Sequence, residues 1–202
     1  MGNLHINWFD VALVGVLVAG AFVGRKRGMS QELIPLIKWI SLILVCGLFY
    51  RPIAEMIANA TVFSMLTASL TAYLGLALIV AVLFALIGRQ LGGKIIGSDV
   101  FGKSEYYLGI FSGMLRFACI LIFGLALLNA RFYTADEIDA RNRFVQKNYD
   151  SDFFPALFQV QDQVFRESMA GPVIFKQLNF VLIEPVKAQG KPLKRKELNL
   201  PM

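Results

Sequence analysis

Histidine and cysteine are nearly missing from this chain. His5 is the one histidine and Cys46 and Cys119 are the two cysteines in 202 residues. No histidine-based triad, multi-histidine metal site, zinc cluster or disulfide scaffold can be assembled from that set. Both cysteines fall inside apolar runs, where a thiol behaves as a small hydrophobe. Charge is scarce too: acidic and basic residues make up 17% of the chain, against 56% hydrophobic residues and a mean hydropathy of +0.60. Ordinary soluble domains carry about 25% charged residues. The acids are also scattered, with Asp10 and Glu55 toward one side of the expected bundle and Glu32, Asp99 and Glu105 toward the other. Hydrolytic and metal-dependent chemistry therefore finds no constellation, and the expectation is a non-enzyme without a cofactor.

Long apolar runs are what the chain does have. Four of them cover residues 8–24, 33–50, 66–87 and 107–129, with Asp10, Lys38 and Arg116 the only charges, in the first, second and fourth. Each approaches the roughly 17–25 residues needed to cross about 30 Å of hydrocarbon. The pattern predicts an all-α polytopic membrane protein with about four transmembrane helices in residues 1–130. Residues 131–186 read as an extracytoplasmic amphipathic helical segment and 187–202 as a disordered tail. The first run is not built like a signal peptide, because its basic cluster, Arg25 to Arg27, follows the run instead of preceding it.

The same cations orient the chain. Arg25, Lys26 and Arg27 follow the first run and Arg89, Lys94 and Lys103 the third, whereas Arg51 after the second is balanced by Glu55. Basic loops stay in the cytoplasm, so both termini are expected outside. Trp8, Phe9, Tyr50, Phe132 and Tyr133 then read as outer interface anchors and Trp39, Tyr106 and Tyr107 as inner ones. The net charge of +6 needs no nucleic acid, since no compact basic domain presents it. Anionic lipid is the partner those loops suit.

The stretch "GSDVFGKS" at residues 97–104 satisfies the phosphate-loop pattern letter for letter. A phosphate loop needs a strand before it and a helix on a parallel sheet after it. Membrane spans on both sides supply neither, so no nucleotide is expected. The plain reading is a cytoplasmic connection in which Gly92, Gly93, Gly97 and Gly102 permit turns.

Small residues also line up along the spans. Gly20, Gly24 and Gly28 share one stripe, Ala68, Ala72 and Gly75 another, and Gly109, Gly113, Arg116, Ile120 and Gly124 a third. Such stripes let a neighbouring helix approach closely, within one chain or in a homo-oligomer. Arg116 accordingly points inward at about 14 Å depth, where a charge costs at least about 2.5–3.5 kcal/mol without a partner. No acid in the second or third run stands ready to neutralise it. Lys38, five residues into its run, is expected to reach the headgroups. Beyond Arg131, two short amphipathic helices are expected, one with Leu157, Val160, Val164 and Phe165 on its face, the other with Ile174, Phe175, Leu178, Val181 and Leu182. Whether they lie on the membrane, pack on the spans or dock a partner stays open.

"DVALVGVLVAGAFVGRKRGMSQELIPLIKW" resembles the start of the colicin V production protein family. The resemblance rests on Asp10 near the start of the first span, Arg27-Gly28, Glu32 four residues on, and Trp39 in the second span. A second signature is similar in Leu108-Gly109, Gly113 and Arg116. It implies a bacterial inner-membrane protein tied to toxin production or export, with those eight conserved-type positions, Asp10, Arg27, Gly28, Glu32, Trp39, Gly109, Gly113 and Arg116, as candidate functional residues. Two functions follow as expectations. One is an accessory protein of an export or envelope process that works through contacts with other membrane proteins. The other is a small oligomeric transporter or channel with Arg116 at an anion site.

Overall fold

The computed structural model describes residues 7–96, 101–133, 138 and 157–187. Its elements in chain order are α1 (Trp8–Ala60), α2 (Met65–Ile96), a 3-10 turn (Gly102–Ser104), α3 (Glu105–Asn129), β1 (Arg131–Phe132), α4 (Leu157–Asp162) running into a π-helical turn (Gln163–Glu167), α5 (Ala170–Leu178) and β2 (Val186–Lys187). Among the described residues, α1, α2 and the 3-10 turn with α3 are long and apolar enough to cross a membrane. The four apolar runs fall on them, two on α1.

Helix α1 is two helices joined at one residue. Gly28 has φ +76° and ψ 168°, a backbone conformation that side chains with a Cβ rarely adopt. Fifty-three helical residues in a line would extend about 80 Å. Yet Asp10, near one end, accepts hydrogen bonds from Met169 and Ala170, while Tyr50 and Arg51, near the other, hold Glu184. The chain therefore doubles back at Gly28, giving a first leg (8–27) and a second leg (29–60). The expected basic loop between the first two runs shrinks to this single break, and Glu32 becomes helical. The second leg also runs ten residues past Tyr50, through Pro52, to Ala60.

The legs of α1 carry the other elements. Helix α3 and helix α2 both pack on α1. Ala68 and Ala72 of α2 meet Ala54 and Ala58 of the second leg in a cluster of methyl groups. Gly75, expected on that stripe, faces open space, as does Gly124 of α3. The main core joins Leu42, Cys46 and Tyr50 of α1, Tyr73, Ala77 and Val80 of α2, and Leu125 and Ala126 of α3. Within it, Tyr73 and Phe123 lie 5.4 Å apart, Phe123 and Trp39 6.0 Å apart, and Tyr50 and Tyr73 6.0 Å apart. Trp39 and Tyr50 thus take part in the aromatic core of the bundle. Eleven residues past the break, Trp39 lies about 16 Å along its helix. Helix α2 continues through Gly92 and Gly93, where turns were expected.

The segment beyond α3 packs on the bundle. Val164, Leu182 and Ile183 belong to the main core, and Val181 is buried beside Gly47. Helix α5 ends at Leu178, short of Val181 and Leu182, which the periodicity had placed on its face. The chain turns there, so that three consecutive apolar residues, and not one helical face, are buried. A two-residue parallel pairing, Arg131 with Val186 and Phe132 with Lys187, completes the attachment.

Candidate functional site

At the end of the bundle where α1 reverses, the backbones of its first leg and of α3 cross almost in contact. Gly20 faces Gly113, Gly24 faces Gly109, and Gly28 lies against both Gly109 and the Glu105 side chain. A Cβ on Gly20 would lie 2.7 Å from the Gly113 carbonyl oxygen, and one on Gly109 2.6 Å from that of Gly24. No real Cβ tolerates such distances, so these glycines are required by space. Gly28 is required by its backbone, at φ +76°, while the Glu105 side chain 2.8 Å from where its Cβ would lie could move aside. The first and third small-residue stripes are therefore spent on each other inside one chain.

That crossing brings a buried ion pair together. Glu32 stands four residues past the break, in the first turn of the second leg. Arg116 stands three residues past Gly113, and side chains on a helix lean toward its N-terminus. The guanidinium therefore reaches back toward the crossing, where its Nη1 lies 2.9 Å from Glu32 Oε2. Glu32 is fully buried and the Arg116 side chain is 9% exposed. On the far side Arg27 Nη1 donates to Glu32 Oε1 at 3.5 Å from a half-exposed position. The expectation that Arg116 had no acid within reach is corrected by this geometry. Glu32 was assigned to an interfacial loop, but the helix restarts at Met29 and carries the carboxylate inward.

A carboxylate held by two guanidiniums in a low-dielectric setting is costly to separate, because either partner alone would be a buried, uncompensated charge. Arg116 Nε and Ser112 Oγ, both buried and one turn apart on α3, have no hydrogen-bond partner. Ser112 was not singled out by its sequence context; its spacing of four from Arg116 was the available signal.

Two candidate residues lie elsewhere. Trp39 is in the aromatic core. Asp10 is at the opposite end, where its carboxylate accepts from the backbone N–H groups of Asn7, Met169 and Ala170 at 3.0, 3.1 and 3.0 Å. It closes a capping box at the start of α1 and at the same time caps α5. Asn129, buried at the end of α3, donates to the Ile183 carbonyl at 2.9 Å. The Tyr50 hydroxyl accepts from the Glu184 N–H at 3.0 Å, and Arg51 pairs with the Glu184 carboxylate at 2.9 Å. A polar Asn closing an apolar run was the one trace of this seat in the sequence.

The "GSDVFGKS" stretch ends in a 3-10 turn at Gly102–Ser104 that leads directly into α3, with Gly102 at φ +48°. No strand precedes α3 among the described residues, and residues 97–100 lie outside them. Residues 188–202, expected to be disordered, and His5 also lie outside. No group of metal-ligating side chains occurs among the described residues.

A family model described as "Colicin V production protein" matches residues 9–159. That span contains the glycine crossing, the Glu32–Arg116 pair, Asp10 and Trp39. No curated protein and no solved structure matches the chain.

Proposed function

From the premise that this chain belongs to the colicin V production protein family, we propose that it is a bacterial inner-membrane accessory protein. It acts in toxin production or export, or in a related envelope process, through contacts with other membrane proteins. The observation that carries this reading is how the candidate residues are used. Gly20, Gly24, Gly28, Gly109 and Gly113 pack on one another, Glu32 holds Arg116, and Asp10 caps α5. The motif builds a rigid body, and its outward apolar faces, such as Leu78, Val82 and Leu86 of α2, meet lipid or neighbours. In the proposed orientation the basic end, with Arg25 to Arg27, faces the cytoplasm and the end bearing α4 and α5 faces outward.

Site-specific photocrosslinkers at Leu78 and Val82, used in native membranes, test this. Discrete adducts with other membrane proteins are expected. Adducts with lipid alone at these and every other outward position of the three long helices sink the accessory reading.

One observation favours a second reading, a small transporter or channel with an anion at Arg116: the guanidinium keeps a buried donor without an acceptor. Anion flux through liposomes containing the purified protein, abolished in Arg116→Leu, is expected of it; a tight membrane excludes it.

A further inference from the structure

We propose that the buried edge of Arg116, together with Ser112, is a binding site for a small oxyanion carrying one carboxylate or phosphate group. The inference deepens the anion reading above and rests on it, but it does not require that the ion cross the membrane.

The argument starts from how Arg116 spends its donors. Glu32 engages Nη1, with Oε2 at 2.9 Å, and its other oxygen is taken by Arg27. A guanidinium receives a carboxylate or phosphate side-on through its Nε edge, which lies away from Nη1. That edge is vacant of partners at Nε, and Nε is buried. One turn toward the crossing, the Ser112 hydroxyl is buried with no partner either, although a helical serine can ordinarily satisfy itself on the carbonyl four residues back. Glu32 Oε2 is buried without a hydrogen-bond partner as well, but it faces Nη1, so the two donors on one face of α3, Nε and the Ser112 hydroxyl, still call for an acceptor with two oxygens. An unmet charged donor in a membrane interior costs more than a neutral one, so the pair favours an occupant that brings acceptor oxygens.

Charge supports a monoanion. Arg116 and Arg27 both contact Glu32, two guanidiniums against one carboxylate, and among the described residues Glu105, which lies against Gly28, forms no ion pair with either. Access is from the basic end, where the Arg27 side chain is half-exposed while Glu32 beneath it is fully buried. Arg25, stacked over Tyr106 at 5.0 Å, adds positive charge at that mouth.

The test uses the full-length protein in neutral detergent at constant ionic strength. Thermal unfolding is followed during titration with acetate, inorganic phosphate, chloride and a short-chain phosphatidylglycerol. A saturable rise in Tm with acetate or phosphate, absent with chloride, is expected for a free solute. A rise with phosphatidylglycerol alone assigns the same chemistry to a lipid headgroup. Ser112→Ala, which changes little volume, should weaken the apparent Kd about tenfold, as the loss of one hydrogen bond to a charged group predicts. Arg116→Lys, which keeps the charge and loses the side-on edge, should weaken it further. Glu32→Gln, which removes the competing negative charge, should tighten it. No saturable shift with any probe overturns the site, as does a shift that Ser112→Ala and Arg116→Lys leave unchanged. Either result leaves the accessory reading intact, because crosslinking does not depend on ligand.

Discussion

The two ends of this bundle solve the same problem, polar groups beside a membrane, with opposite means. At the basic end, side chain meets side chain: Arg27, Glu32 and Arg116 pair among themselves, and glycines clear the space in which they do so. At the other end, apart from the exposed Arg51–Glu184 and Trp8–Gln163 contacts, side chain meets main chain. Asp10, Tyr50 and Asn129 bind N–H and C=O groups of residues 169–184, while Val181, Leu182 and Ile183 contribute only bulk. The first arrangement is strict at every position, because each residue is both size-limited and charge-matched. The second is strict in the bundle and lenient in the segment it holds, since any backbone offers the same groups. Substitutions should therefore act steeply at one end and shallowly at the other.

Gly113→Leu should have the largest effect. Its side chain would have to occupy the space of the Gly24 backbone, which cannot retreat without opening the crossing. Loss of the cooperative thermal transition in detergent is expected. A transition near the parent Tm would mean that the crossing is not needed.

Breaking the ion pair should come next. Arg116→Leu leaves Glu32 buried with only the longer Arg27 contact, and Glu32→Ala leaves Arg116 without its acid. Each should cost about 3–5 kcal/mol. The double variant should be less damaged than the sum of the two. Strict additivity in a double-mutant cycle would show that the two groups do not interact.

At the far end the cost should be smaller and local. Asp10→Ala removes three acceptor contacts, two of them to the start of α5. About 1–2 kcal/mol is expected, as for loss of an N-cap. It should show as faster maleimide labelling of Leu182→Cys in a background with both native cysteines replaced by alanine. An unchanged labelling rate, with global Tm falling as far as in Glu32→Ala, would erase the contrast between the ends.

Gly124→Ala should do least. This glycine shares the sequence stripe of Gly109 and Gly113 but faces open space. A change within about 1 kcal/mol, and toward greater stability from helix propensity, is expected. Destabilisation as large as at Gly113 would show that α3 has a second close neighbour there.

Much of this was legible without coordinates. Long apolar runs with few charges can only be helices in a bilayer, because each backbone group must be satisfied within its own segment. That one rule determined the class of fold and the helical registers. It also determined that Arg116 faces inward and that Gly109 and Gly113 share its face, since a period of 3.6 residues is local.

Which stripes meet was a different kind of question. Gly20, Gly24 and Gly28 pair with Gly109 and Gly113, while Gly75 and Gly124, equal to them in the sequence, meet nothing. Helical periodicity gives each residue a face but says nothing of which faces oppose. The break at Gly28 was decided by the tertiary structure as well, because a positive φ is cheap for any glycine and becomes necessary only where the chain must reverse against α3. From that reversal came the partner of Arg116: Glu32 lies 84 positions earlier in the chain, and only the folding back of α1 brings an apparent loop acid beside a mid-helix arginine. The seat of Val181, Leu182 and Ile183 followed the same logic, for a short apolar triplet has no period to betray that three helices have left it a place.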